Sequence, residues 1–142
     1  MSLENLVGRT LERIKPDSSA ISRLVSAAQR NIADAHIAQV SAENRFDAAY
    51  KAIMQLANAA LQANGYRTLT SKPGHHMTMI QTLPQTVGLD SDTMIILDAL
   101  RKQRNVADYS GDIVPESAVT ECITHAEKLY QVVNVWIKKN RP

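Results

Sequence analysis

Apolar side chains recur every three to four residues through most of this chain, the period of helices that bury one face. Leu3, Leu6, Leu11 and Ile14 predict a short leading helix that Pro16 ends. Asp17 or Ser18 can cap a second helix, starting near Ser19 and running to about Gln39, with Ile21, Leu24, Val25, Ala28, Ile32 and Ala35 on its apolar face. Ser41 can cap a third, with Phe46, Ala49, Tyr50, Ile53, Ala57, Ala60 and Leu61 as its stripe and Gly65 as a left-handed terminator. That helix would be roughly 33 Å long. The short link between these two long helices predicts an antiparallel hairpin.

Residues from Thr68 to Lys72 read as a loop, and Pro73 suits the first position of the next helix. Met77, Ile80 and Leu83 mark that helix, which Pro84 weakens or ends before Gly88. Asp90 or Ser91 caps a helix containing Met94, Ile95, Leu97 and Leu100, which continues through Arg104 and stops before Gly111. Pro115 opens the last helix, with Val119, Cys122, Ile123, Ala126, Leu129, Tyr130, Val133, Trp136 and Ile137 toward the core. No strand pattern or repeat stands out. The expected fold is all-α: an up-and-down bundle of four to five helices over residues 17–142, with a short N-terminal helix in residues 1–16, as a single domain.

Composition sharpens this picture. Phe46, Tyr50, Tyr66, Tyr109, Tyr130 and Trp136 are the only aromatics, so the core is built mainly from Ala, Leu, Ile, Val and Met. That favours close-packed helices over a β-sandwich. The net charge of +2 is only mildly basic. It permits nucleic-acid contact, but a strong electrostatic footprint needs clustered cations. Cationic groups occur at Arg101-Lys102-Gln103-Arg104 and Lys138-Lys139-Asn140-Arg141, and both also read as solvated helix ends. Cys122 is the sole cysteine, which excludes an intrachain disulfide and a thiolate zinc centre, and its place in an apolar stripe predicts a buried thiol. No apolar run approaches the ~18 residues of a membrane helix, and Met1-Ser2-Leu3-Glu4-Asn5 lacks the zones of a signal peptide. A cytoplasmic protein without a membrane partner is expected.

The most chemically loaded segment is Arg104-Asn105-Val106-Ala107-Asp108-Tyr109, which gathers a guanidinium, an amide, a carboxylate and a phenol at a helix end. Arg101 lies one turn earlier, on a similar side. Guanidinium forks match phosphate geometry. The purely structural reading is an i,i+4 ion pair between Arg104 and Asp108, with Tyr109 packed over the helix end. His75 and His76 follow Pro73-Gly74 and fall in a first helical turn. Adjacent helical residues point about 100° apart, so the two do not readily share a metal. One of them facing a groove and hydrogen-bonding across the bundle is the simpler expectation. His36 and His125 are isolated. Phosphate loops, dinucleotide fingerprints, nucleophile elbows and HExxH are absent from the sequence. No metal and no cofactor are expected.

Several segments together resemble HEPN domains. Arg45-Phe46-Asp47-Ala48-Ala49-Tyr50-Lys51-Ala52, continuing to Ala63-Asn64-Gly65-Tyr66-Arg67, resembles the second helix of that family. Pro73-Gly74-His75-His76 resembles the start of its third helix, and Leu100 through Tyr109 resembles its signature segment. Glu127-Lys128-Leu129 with Trp136 resembles its closing helix. The resemblance spans roughly residues 18–140. It implies an up-and-down helical bundle, commonly a homodimer, in a family that includes metal-independent ribonucleases of toxin–antitoxin and defence systems. Other members accompany a nucleotidyltransferase, or bind RNA or nucleotides.

The family's ribonuclease signature is an arginine, four to six residues, then a histidine. With four residues between, the position that follows Arg104 is Tyr109; the next downstream histidine is His125. Tyrosine titrates near 10, far from the near-neutral value that suits a proton shuttle. The resemblance therefore implies a module that binds RNA, a nucleotide or a nucleotidyltransferase through a cleft around Arg104–Tyr109. Arg104 and Asn105 are the catalytic candidates; Arg101, Asp108, Tyr109, His75 and His76 are the binding candidates. The alternatives are an active metal-independent endoribonuclease, with His75 or His76 as the substitute imidazole, and a purely structural dimerisation module.

Overall fold

The computed structural model describes residues 2–71, 74–111 and 114–140, the side chains of residues 107–110 excepted. Four long helices carry the fold: α1 (Ser18–Ala35), α2 (Ala42–Ala63), α5 (Ser91–Ser110) and α6 (Glu116–Lys139). Two short ones, α3 (His75–Gln81) and α4 (Leu83–Val87), bridge α2 to α5. The expected all-helical bundle is what forms.

Side-chain pairs establish the course of the chain. Asn31 donates to Gln55 at 2.8 Å and Arg45 donates to the Ala35 carbonyl at 2.9 Å, so α1 and α2 run antiparallel. The Cys122 thiol meets the Phe46 carbonyl at one end of the bundle. Ala63, Trp136 and Ile137 border one depression at the other end. Helices α2 and α6 are therefore parallel. Asn64 donates to the Thr86 carbonyl at 3.2 Å, placing α4 at the far end of α2. From there α5 returns toward Tyr50, and the four long helices alternate up and down.

Local chemistry sets the helix ends. The Asp17 carboxylate accepts from the Ser19 and Ala20 amides, and Ser41 accepts from Asn44. Asp90, rather than Ser91, caps α5 through the Thr93 amide at 3.0 Å and hydroxyl at 2.7 Å. Those hydrogen bonds hold its carboxyl below the usual range. Helix α1 stops at Ala35, short of the expected Gln39. Tight turns at His36 and Val40 and the guanidinium of Arg45 on the Ala35 carbonyl take over there. Pro84 lies in the first turn of α4, so the expected single helix breaks at Thr82 into α3 and α4. Pro73 lies outside the described residues, and α3 instead has Gly74 ahead of it, at φ 80°.

The core is mostly small and aliphatic, as composition requires. Phe46, Ile53, Leu56, Leu61, Ile80, Leu83, Leu97, Leu129 and Val133 are among its largest fully enclosed members, with alanines such as Ala49, Ala57, Ala60 and Ala126 between them. These alanines let α2 approach its neighbours closely, and α2 is buried along most of its length.

One element departs from the expectation. The leading helix does not form. Leu3–Leu6 is a single 3-10 turn, and Leu11–Arg13 is a strand, β1, paired antiparallel with β2 (Tyr66–Thr68). Leu11 faces Thr68 and is fully buried. The amide of Ile14 donates to the Gly65 carbonyl at 2.8 Å, and that of Leu69 to Thr10 at 2.8 Å. Arg13 and Tyr66 converge on Glu4, and their hydrogen bonds hold its carboxyl down to about 2. Arg67 pairs with Glu12 across the strands. Spacing of Leu and Ile suggested a helix; cross-strand pairing supplied partners that no local pattern reveals.

Candidate functional site

A polar stripe runs along α2 beside its core face. Asp47, Lys51, Gln55 and Asn58 recur at helical spacing and line an open groove of about 630 Å³. Helix α3 supplies His75, His76 and Met79 to the same groove, and α5 supplies Arg104. Tyr50 and Met54 form part of its floor. Three helices that are separate in sequence thus meet around one guanidinium and two imidazoles.

Arg104 is held in place. Its guanidinium carbon lies 5.4 Å from the centroid of the Tyr50 ring, a cation–π distance. Its Nε lies 3.8 Å from Asp47 Oδ1. The side chain is 33% exposed, so a ligand in the groove can still reach it. Helix α5 presents Arg104 toward α2 because Leu97 and Leu100, at the helical intervals before it, are buried against the core.

Tyr50 links this arginine to the histidines. Its hydroxyl lies 3.2 Å from His76 Nδ1, and the two rings are tilted at 50° with centroids 6.0 Å apart. Burial pushes the Tyr50 phenol up to about 12, against the opposing pull of Arg104 and Arg101, so it stays protonated. Burial, with the nearby His75, Arg104 and Arg101, lowers the His76 pKa below the ordinary imidazole value. His76 is therefore neutral near pH 7, with one nitrogen able to accept a proton. His75 stacks edge-on against it, with centroids 4.8 Å apart.

The sequence-derived candidates separate at this point. Arg104, His75 and His76 share the groove. One histidine faces it and bonds across the bundle, as expected for the pair. Arg101 instead bonds Asp98 at 2.8 Å, and Lys102 pairs with the same carboxylate at 3.6 Å. Asn105 is half-buried on α5 and does not line the groove. The side chains of Asp108 and Tyr109 lie outside the described residues, so the expected Arg104–Asp108 pair does too. Asp47, Tyr50, Lys51, Gln55 and Asn58 were not singled out as site residues from the sequence. Their signal was available as the second, polar helical stripe next to the apolar stripe of α2.

Elsewhere, His36 pairs with Glu127 at 3.4 Å and His125 lies on α6. Among the described residues, no three His, Cys, Asp or Glu side chains converge as a metal site. Likewise, no described helix is long and apolar enough to cross a membrane. No protein-family model matches the chain, and no curated protein matches it.

Proposed function

We propose that the groove between α2, α3 and α5 is a phosphate-binding site of an HEPN-like module whose ligand is RNA or a nucleotide. The observation that supports this most is the meeting of Arg104 with His75 and His76 in one open groove. Tyr50 and Asp47 orient the guanidinium, which reduces the ordering cost of presenting it to a phosphate. Lys51 and Asn58 add a second cation and an amide along the same wall. The family resemblance in the sequence extends the reading to a homodimer, a toxin–antitoxin or defence setting in the cytoplasm, and a nucleotidyltransferase partner.

The test is fluorescence anisotropy with a labelled short RNA and with free nucleotides. Arg104→Ala is expected to weaken binding at least tenfold, about 1.4 kcal/mol, while circular dichroism stays unchanged. Wild-type affinity in a folded Arg104→Ala protein would rule out the groove as the binding site. Isolation of the native complex, with identification of its second chain by mass, tests the nucleotidyltransferase.

His76 favours a second reading, the metal-independent endoribonuclease. With Nδ1–H donating to the Tyr50 oxygen, Nε2 carries a free lone pair. It would take the proton of an RNA 2′-hydroxyl as that oxygen attacks the adjacent phosphorus. The P–O5′ bond breaks, the departing oxygen is protonated from water or His75, and a 2′,3′-cyclic phosphate remains. The expected sign is chelator-resistant cleavage that survives Tyr109→Phe but is lost in Arg104→Ala and His76→Ala. Absence of cleavage at any protein concentration would end this reading.

A further inference from the structure

The Arg104 groove does not end at α2. Lys51 and Gln55 line it on one side and line a second depression, of about 420 Å³, on the other. That depression is bordered by Arg30, Asn31 and Asp34 of α1. Arg30 in turn borders a third, of about 310 Å³, which continues along α1 past Ser26 and Ser22 to Arg23. The hydrogen bond from Asn31 to Gln55 bridges the two helices at the junction.

Arg104, at one end of this path, pairs with Asp47. Arg13, Arg45, Arg67 and Arg101 each pair with a carboxylate away from the path. Arg23, Arg30 and Lys51 are exposed and, among the described residues, have no carboxylate within ion-pair distance. Arg23 donates to the Ser19 hydroxyl at 2.6 Å, which leaves its charge uncompensated. Arg23 and Arg30 are seven residues apart, on one face of α1 and on the order of 10 Å from each other. Asp34 and Asp47 are the acidic groups along the path. Together with Arg104, the sequence of positive charges extends well beyond the reach of one nucleotide.

From this arrangement we infer that Arg104, Lys51, Arg30 and Arg23 form one track for the phosphodiester backbone of a single-stranded nucleic acid, with the Arg104 groove as its terminal phosphate site. The ligand is a chain rather than a free nucleotide. Cations strung along depressions that share lining residues, with Lys51, Arg30 and Arg23 lacking a carboxylate partner among the described residues, follow a flexible polyanion, whereas a mononucleotide would use only one end. This inference rests on the phosphate-binding reading of the Arg104 groove and assigns its substrate class.

The test uses labelled oligouridylates and oligothymidylates of increasing length, from the dinucleotide upward, by anisotropy at several salt concentrations. Affinity for at least one series is expected to rise with length until a plateau within the ~4–16 nucleotides that one small single-strand-binding domain covers. The double variant Arg23→Gln/Arg30→Gln, both at exposed positions, is expected to weaken a long oligomer at least tenfold. It should leave the dinucleotide unchanged and flatten the log–log salt slope by about 0.7 for each lost contact. Circular dichroism checks its fold. Length-independent affinity, an unchanged salt slope in the double variant, or equally tight binding of poly-glutamate would overturn the track. If the dinucleotide binds through Arg104 but length adds nothing, the track fails and the phosphate groove stands. If length matters through Arg23 and Arg30 but Arg104→Ala changes nothing, the groove reading fails, and with it the track that ends in the groove, leaving only a cationic face on α1.

Discussion

Arg104 and His76 touch the same side chain, Tyr50: one lies over its ring at 5.4 Å and the other meets its hydroxyl at 3.2 Å. The two functions of that tyrosine can be separated. Tyr50→Phe keeps the ring under Arg104 and removes only the hydroxyl, with an expected loss of about 0.5–1.5 kcal/mol in urea unfolding. Tyr50→Ala also removes a buried ring and is expected to cost about 3–5 kcal/mol. Equal losses in the two variants would show that the ring contributes little beyond its hydroxyl.

His76 makes stability depend on pH. Its pKa in the folded protein is lowered, chiefly by burial, so protonation favours the unfolded chain, where the value is about 6.5. The stabilisation is fully present above that unfolded value and is lost as pH falls through the folded one. Melting temperatures are expected to drop as pH falls below the ordinary imidazole value of about 6.5. The drop should be smaller in His76→Gln. An identical pH profile in the variant would count against this assignment, as would an NMR titration of His76 at or above the ordinary imidazole value.

Cys122 should be chemically silent in the folded protein. It is fully buried, and burial pushes its thiol up to about 12. Thiolate is the reactive form. Alkylation at mildly alkaline pH is therefore expected only after denaturant is added, with the labelling midpoint following the unfolding transition. Prompt labelling of the native protein would contradict this burial.

The strand pair offers a test of backbone conformation. Gly65 adopts φ 89°, and an added Cβ would lie 3.4 Å from the Ile14 carbonyl oxygen. Gly65→Ala is expected to destabilise by about 1–2 kcal/mol, from the left-handed backbone alone. Leu11→Ala, which opens a void beneath β1, is expected to cost about 2–5 kcal/mol. A near-neutral Leu11→Ala would mean that the pair adds little to the bundle. Chemical denaturation of both variants gives the comparison.

Much of the fold was legible because long helices advertise themselves. Asp17, Ser41, Gly65, Gly88 and Pro115 mark boundaries through local backbone chemistry, and the apolar stripes of α1, α2 and α6 follow from period alone. Leu11 and Thr68 were not legible, since a three-residue strand carries almost no periodic signal and its partner is distant in sequence. The site divided on similar grounds. Arg104, His75 and His76 stood out by residue type. Their convergence on Tyr50 depended on where α3 meets α2, and the short α3–α4 break at Thr82 gave no sequence measure of that. The polar stripe of α2 was readable but looked like an ordinary solvated face.

The β1–β2 pair also fixes an order of events. Leu11 emerges from the ribosome long before its partner Thr68 exists, and α1 and all of α2 are synthesised in between. The local helical hairpin can close first, because its contacts are near in sequence, whereas the strand pair must wait for a large loop to close. Throughout that interval the buried face of Leu11 has no cover. The docking of β1 therefore follows the α1–α2 hairpin and can precede α5 and α6, which are made later.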